Sequence, residues 1–247
     1  MAEQSLTPAL ECLEKAYILS RVSGCGEAHT SGDEAALLYG KVLLQLGQSS
    51  HAREVLGEVY ANHSCGETLL PEVSRSYALA LIADGELVLA VQPLETAIQH
   101  ISDEPELHLV YARTLLSLRQ QPAQAVISLQ KVLQANPNSL EAQGWLPVGL
   151  DETGQTKPAF EAYQRALETK LAKDTDWRAR LSFGLGRNAL KLDQNELALA
   201  ALQESVQYAP DKPEYQQRLA EAYWAVNLPA NALQVARGVL QLERDNP

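Results

Sequence analysis

Small and large apolar residues recur along this chain in one order about every 34 residues, and this recurrence constrains the fold more than any other feature. In the window 179–212, Gly186 and Ala198 are the small residues at positions 8 and 20. Leu185 and Leu202 are large residues at positions 7 and 24 of the same window. Comparable layouts occupy the windows 33–66, 71–104, 106–139, 140–173 and 213–246. A chain with this period is expected to repeat one small structural unit.

Each window contains two apolar stretches with helical spacing, about a dozen residues each, separated by a short turn. Gly47, Gly85 and Gly154 fall at these turns, where glycine adopts a left-handed backbone without steric cost. Pro137 and Pro210 follow the second stretch and would end its helix. A single helix pair of this kind cannot bury its apolar face, so neighbouring pairs must stack on one another. We therefore predict an all-α solenoid with about thirteen helices.

The six windows resemble the tetratricopeptide repeat, and the resemblance covers most of the chain. It implies a right-handed α-solenoid of antiparallel helix pairs, in which the first helix of each pair lines a concave groove. Residues 1–32 are expected to hold a lone helix of the second type followed by a long turn. Residues 33–247 are expected to form the six repeats as one continuous solenoid.

Several positions depart from the regular pattern. Pro93 lies in a predicted second helix and Pro147 in a predicted first helix, and each should kink its helix or delay its start. The segment 173–178 inserts about five residues between two windows, and the turns at 21–32 and 61–70 are long. We expect irregular curvature at these places.

Charge and composition exclude several classes of protein. The chain has 20 Lys and Arg against 31 Asp and Glu, and a net charge of −11 argues against nucleic acid as a partner. Apolar runs are too short to span a membrane, and the start lacks the regions of a signal peptide, so we predict a cytoplasmic protein with no membrane partner. Residues 1–105 hold 5 basic and 15 acidic residues, whereas 157–191 holds 8 basic and 4 acidic ones. An anionic partner would therefore favour the second half of the chain.

No residue pattern typical of catalysis or nucleotide binding occurs in the sequence. A phosphate-binding loop ending in Lys-Ser/Thr and a Gly-x-Ser-x-Gly motif are both absent. Gly184 and Gly186 lie within a helical pattern and lack a third glycine, so they do not indicate a dinucleotide site. We predict a non-enzymatic protein with no catalytic residues and no cofactor.

Four residues in the two long turns leave a metal site open as an alternative. Cys25 and His29 lie in the first turn, and His63 and Cys65 lie in the second. Equivalent turns of adjacent repeats lie on one edge of a solenoid, so these residues could bind zinc, or the two cysteines could form a disulfide. Their spacing matches known zinc sites poorly, and we predict no metal.

The concave groove is the predicted binding site. The resemblance places defined positions of each first helix on its surface, where aromatic residues and Arg would be available to a partner. These residue types are enriched among the residues that dominate binding energy at protein interfaces. The alternative is that the aromatic residues pack between helices and the basic ones are only solvated. The predicted groove residues are Tyr111, Trp145, Arg180, Phe183, Arg187, Lys191, Arg218 and Trp224.

These observations predict a scaffold that binds a protein or peptide, and they leave two alternatives open. The expected partner is an acidic or amphipathic segment lying along the last three repeats. One alternative is a self-assembling module, including a homo-oligomer formed through the C-terminal helix, and the other is a metal- or thiol-dependent regulator. Apolar residues surround most of that last helix, so we expect either a segment of a larger repeat protein or a second copy covering it.

Overall fold

The computed structural model describes residues 12–19, 28–62 and 66–245, and these residues form thirteen α-helices and one short 3-10 helix. No β-strand occurs within those ranges, so the predicted all-α fold is confirmed there. Helix α1 spans residues 12–19. The other α-helices are α2 (Ala28–Gln45), α3 (Ser49–Asn62), α4 (Gly66–Ala83), α5 (Leu87–His100), α6 (Pro105–Ser117), α7 (Pro122–Ala135), α8 (Leu140–Glu152), α9 (Thr156–Leu167), α10 (Thr175–Lys191), α11 (Asn195–Tyr208), α12 (Pro213–Ala225) and α13 (Pro229–Asp245).

The chain divides into two compact units, Met1–Thr114 and Leu115–Pro247. In the first unit, consecutive helices from α2 to α5 pack against each other, and α2 also contacts α4. In the second unit, consecutive helices from α7 to α13 pack in the same way. There α10 contacts both α8 and α12, so the first helices of successive repeats are neighbours.

The turn inside each helix pair contains a residue with a left-handed backbone. Gly47, Gly85 and Gly154 have φ values of 73°, 85° and 76°, as their positions predicted. The three remaining pairs use residues with a side chain for the same purpose. These are Arg119, Asp193 and Asn227, with φ values of 52°, 58° and 60°. Asp and Asn adopt the left-handed conformation more readily than most residues, whereas Arg has no such preference.

Small residues allow the two helices of a pair to approach closely. Ala159 and Ala198 have no exposed surface and Ala232 is 8% exposed, so their predicted burial is confirmed. A Cβ atom on Gly186 would lie 2.5 Å from Cγ of Leu202 and 3.1 Å from the carbonyl oxygen of Ala198. Glycine at this position of α10 is therefore what lets α11 pack against it.

The structure contradicts a delayed helix start at Pro93 and Pro147, one of the two effects expected there, and it contradicts the long turn at 61–70. Pro93 and Pro147 do not delay their helices, because α5 begins at Leu87 and α8 begins at Leu140. Both proline rings are buried, so each contributes apolar packing where it removes one backbone donor. The long turn predicted at 61–70 is also absent, since α3 continues to Asn62 and α4 begins at Gly66.

The insertion between the fourth and fifth windows forms ordered structure. The 3-10 helix Lys170–Lys173 leads into it from the end of the fourth window, and the insertion itself supplies an added first turn of α10. The carboxylate of Asp174 accepts hydrogen bonds of 3.0 Å from the backbone N–H groups of Asp176 and Trp177, which caps α10 at its N-terminus. Helix α10 has 17 residues, whereas α8 and α12 have 13 each, so this turn is an addition to the repeat.

The long turn predicted at the start of the chain ends earlier than expected, because α2 begins at Ala28. Residues 20–27 lie outside the described part of the chain. Among the helices that are described, none combines the length and the hydropathy that a bilayer-spanning segment requires.

Candidate partner-binding surface

Seven of the eight predicted groove residues lie in the second unit, and Tyr111 lies in the first. Tyr111 belongs to α6, is 6% exposed, and its hydroxyl donates a hydrogen bond of 3.0 Å to Glu95. Burial, together with the Glu95 carboxylate, raises the pKa of the Tyr111 hydroxyl above its usual range. Tyr111 is therefore an internal contact of its own unit.

Phe183 also packs between helices. Its ring stacks on the ring of Tyr215 in α12 at a centroid distance of 4.1 Å, and Phe183 is 8% exposed. Burial raises the pKa of the Tyr215 hydroxyl. Leu202 and Leu219 complete the cluster around this pair. Phe183 therefore packs between helices, as the alternative to a groove position expected.

The insertion brings a tryptophan against α8. Trp177, on the added turn of α10, contacts Trp145 edge to face, with ring centroids 5.6 Å apart and an interplanar angle of 86°. The guanidinium carbon of Arg180 lies 4.9 Å from the centroid of the Trp145 ring and 5.3 Å from that of Trp177. Arg180 itself is exposed. The three side chains form one cation–aromatic cluster, which we call the Trp–Arg cluster.

A glycine makes room for this cluster on α8. A Cβ atom on Gly144 would lie 2.5 Å from Cδ2 of Leu171 and 2.7 Å from Cζ3 of Trp177. Leu171 belongs to the 3-10 helix, so this helix and the added turn of α10 pack onto the same point of α8. Sequence reasoning missed Trp177, although its position three residues before Arg180 on a helix places the two side chains on one face.

Two of the basic residues share a buried carboxylate. The side chain of Asp151 on α8 is 1% exposed and accepts hydrogen bonds from Arg187 and from Lys191, the latter at 2.8 Å. Burial by itself would raise the pKa of the Asp151 carboxyl, but the hydrogen bonds from Lys191 and Arg187 outweigh it and hold the pKa below its usual value. This ionic cluster joins α8 to α10.

The four predicted basic residues differ in whether a carboxylate already neutralises them. Arg187 and Lys191 are paired with Asp151, and Arg218 is paired with Glu221 at 2.7 Å. Arg180 has no carboxylate partner among the residues that the structure describes. It is therefore the predicted groove cation that remains available to an anion.

Trp224 lies on α12, the first helix of the last pair. It holds the same repeat position as Asp151, which pairs with Arg187 on the first helix of the following repeat. Trp224 is 71% exposed. The last helix pair and its turn carry further exposed apolar residues, and we call this set together with Trp224 the end surface. They are Trp224, Leu228, Leu233 and Leu240.

The metal alternative falls largely outside the described residues. Cys25, His63 and Cys65 are not described, and for His29 only the backbone in α2 is. Among the side chains that the structure does describe, no group of three or more His, Cys, Asp or Glu could hold a metal ion.

A family model described as tetratricopeptide repeat matches residues 183–247. The same helix-pair architecture extends over the second unit and over α2 to α5 of the first. Residues 183–247 therefore contain tetratricopeptide repeats, and the described helices before them share that fold. The Trp–Arg cluster lies where an insertion separates the fourth and fifth windows.

Solved structures share the tetratricopeptide repeat fold at low sequence identity. MamA residues 41 to the end from Desulfovibrio magneticus RS-1 is 23% identical, with a TM-score of 0.60 over 72% of this chain and 97% of that one. A tetratricopeptide repeat protein from Parabacteroides merdae is 13% identical, with a TM-score of 0.55 over 98% of this chain and 88% of that one. YrrB, described as having an unusual peptide-binding site, is 18% identical, with a TM-score of 0.55 over 70% of this chain and 87% of that one. No curated protein matches the sequence.

Proposed function

We propose that this protein is a non-enzymatic scaffold that binds a partner peptide or helix on the face formed by α8, α10 and α12. The observation that carries the proposal is the Trp–Arg cluster, where an exposed cation is fixed over two aromatic rings. Aromatic residues and Arg contribute strongly to binding when they are held in place before the partner arrives. The peptide-binding site named for YrrB supports this use of the fold.

The proposed partner is an acidic or amphipathic segment. Residues 157–191, which include all of α10, hold 8 basic and 4 acidic residues in a chain whose net charge is −11. This local excess of positive charge would attract an acidic peptide to α10 and repel a basic one.

Charge reversal tests the proposed face. Peptides selected on the immobilised protein from a random display library should be enriched in acidic residues, and their dissociation constants can be measured by fluorescence anisotropy. Arg218→Glu should weaken their binding at low salt by about 1 kcal/mol, because an exposed charge on this face changes sign. High salt should reduce the difference, since it screens exposed charges.

Arg237→Glu is the matched control. Arg237 is exposed on α13, a second helix, and its reversal changes the net charge by the same amount. We expect little loss of binding in this variant. An equal loss in both variants would mean that only the overall charge matters, and a library without acidic enrichment would contradict the proposed partner.

A second candidate function is self-association through the end surface. Leu233 is 54% exposed on α13, whereas Phe160, which holds the same repeat position on α9, is 7% exposed. Leu240 on the same helix is 60% exposed. Apolar side chains left uncovered in this way favour contact with another protein surface, and a second copy of the chain supplies one.

Light scattering at two protein concentrations tests this candidate. The average mass should rise with concentration, and Leu233→Glu should lower it because the charge would be buried at the contact. Leu89→Glu is the control, since Leu89 is similarly exposed, at 57%, on α5 of the first unit and is not one of the end-surface residues. A wild-type protein that stays monomeric at both concentrations would refute the candidate.

A further inference from the structure

The Trp–Arg cluster exists because the chain departs from its own repeat. The added turn of α10 supplies Trp177, and the 3-10 helix supplies Leu171, which packs at Gly144 beside Trp177. The first helices on either side, α8 and α12, have 13 residues and no such turn. The cluster is therefore a local addition to the second unit and is not a general property of its first helices.

The packing of Arg180 fixes its guanidinium group without using its hydrogen-bonding capacity. The Trp145 and Trp177 rings hold the group through cation–aromatic contacts, with the guanidinium carbon 4.9 and 5.3 Å from their centroids. A guanidinium held in this way keeps its N–H donors at the edge of its plane, where they match the two oxygens of a carboxylate. Because the side chain is already ordered, little conformational entropy remains to be lost when an anion binds.

The neighbouring basic residues do not offer the same site. Arg178, two residues earlier, is paired with Glu204 at 2.6 Å. Asp176 and Glu214 lie near enough to influence the pKa of Tyr215, as Arg180 does, but neither forms an ion pair with Arg180. Within the described part of the chain, Arg180 is thus a fixed, exposed cation on this face whose hydrogen-bond donors await an acceptor.

We propose that Arg180 is the specificity-determining residue of the binding face and that it receives one Asp or Glu side chain of the partner peptide through two parallel hydrogen bonds. The Trp145 and Trp177 rings hold the guanidinium in position, and the apolar ring edges contact the residues beside that acidic side chain. This inference rests on the proposed function and adds the chemistry and the location of its main contact.

A double-mutant cycle between protein and peptide tests the inference. Peptides selected on the protein are synthesised with each acidic residue in turn replaced, Glu by Gln or Asp by Asn, and are measured against wild type and Arg180→Gln. Arg180→Gln should weaken binding about tenfold or more, as expected for a hydrogen-bonded ion pair. One peptide substitution should cause no further loss in this variant, which identifies the side chain that Arg180 binds.

Two further variants separate the pair from general charge effects. Arg218→Gln removes the same charge from a residue that is already paired with Glu221, and it should reduce binding much less than Arg180→Gln does. Arg180→Lys keeps the charge but loses the planar pair of donors, so it should retain only a minor part of the affinity. Full affinity in Arg180→Lys, or equal losses in Arg180→Gln and Arg218→Gln, would overturn the inference.

The source of the carboxylate is tested with peptides amidated at the C-terminus. Amidation should leave the coupling to Arg180 unchanged, and loss of the coupling on amidation would assign the carboxylate to the chain terminus and overturn the inference. Near-ultraviolet circular dichroism of each variant checks that the tryptophan packing is preserved. Selected peptides that bind Arg180→Gln as tightly as wild type would refute this contact alone, whereas a library that yields no binding peptides would refute the proposed function itself.

Discussion

Asp151→Ala is expected to lower the free energy of unfolding at neutral pH by about 2–3 kcal/mol. The substitution leaves Arg187 and Lys191 without the buried carboxylate that joins α8 to α10. Removing one partner of a fully buried pair commonly costs about 3–5 kcal/mol. We expect a smaller loss here because the Arg187 and Lys191 side chains are 25% and 44% exposed and can be partly hydrated. Urea unfolding at pH 7 measures the difference.

The same carboxylate should make stability depend on pH in the acid range. Because the pKa of Asp151 is lower in the folded protein than its reference value of 3.8, the unfolded chain binds the proton more readily. The stabilisation is therefore fully present above about pH 4 and is lost as the pH falls through the lower, folded-state pKa. Asp151→Asn should reduce this acid dependence.

Asp211→Ala is the control for both measurements, because Asp211 is exposed in the turn before α12. It should unfold like the wild type at pH 7 and should keep the acid dependence. If Asp151→Ala unfolded like Asp211→Ala at neutral pH, the ionic cluster would make no net contribution to stability.

Gly186→Ala is expected to lower the free energy of unfolding by about 1–3 kcal/mol. The new methyl group would meet Leu202, which has no exposed surface, and the backbone of α11 at Ala198, so the two helices would have to separate. Thermal and urea unfolding followed by circular dichroism give the change.

Gly238→Ala is a comparison variant that should not lower the free energy of unfolding. A Cβ atom there would meet only the side-chain oxygen of Gln216, at 3.5 Å. Alanine favours the helix by up to about 1 kcal/mol over glycine, so this variant should be as stable as the wild type or more stable. Equal destabilisation of both variants would indicate that close packing at Gly186 is not the cause.

The repeat could be predicted from the sequence because its small residues must recur wherever two helices touch. Gly186, Ala198 and Ala159 were placed correctly on this basis, and so were the glycine turns. The sequence did not predict the left-handed backbone of Arg119 and Asp193, because the helices that they join impose it. A glycine in the sequence marks a left-handed turn directly, whereas the turns at Arg119 and Asp193 can be recognised only from how the helices pack.

The binding face was predicted less completely, for a related reason. The period assigns Trp145, Arg180 and Phe183 to first helices, but it does not reveal which of them a neighbouring helix covers. Phe183 is covered by Tyr215, and Trp145 is joined by Trp177 from an insertion that the period treats as a gap. Ion pairing between helices, such as that of Asp151, depends on a spatial register that spacing along one chain does not contain.

The added turn of α10 also bears on how a chain of this kind can change during evolution. Repeats in a solenoid contact mainly their neighbours, as the helix pairs of the second unit do here, so lengthening one connection alters the adjacent helices and leaves distant ones as they were. A handful of extra residues has here produced an ordered aromatic surface while the pairs before and after it keep their usual lengths. Related chains can therefore diverge in what they recognise through the connections between repeats, while selection on the repeats themselves preserves the shared scaffold.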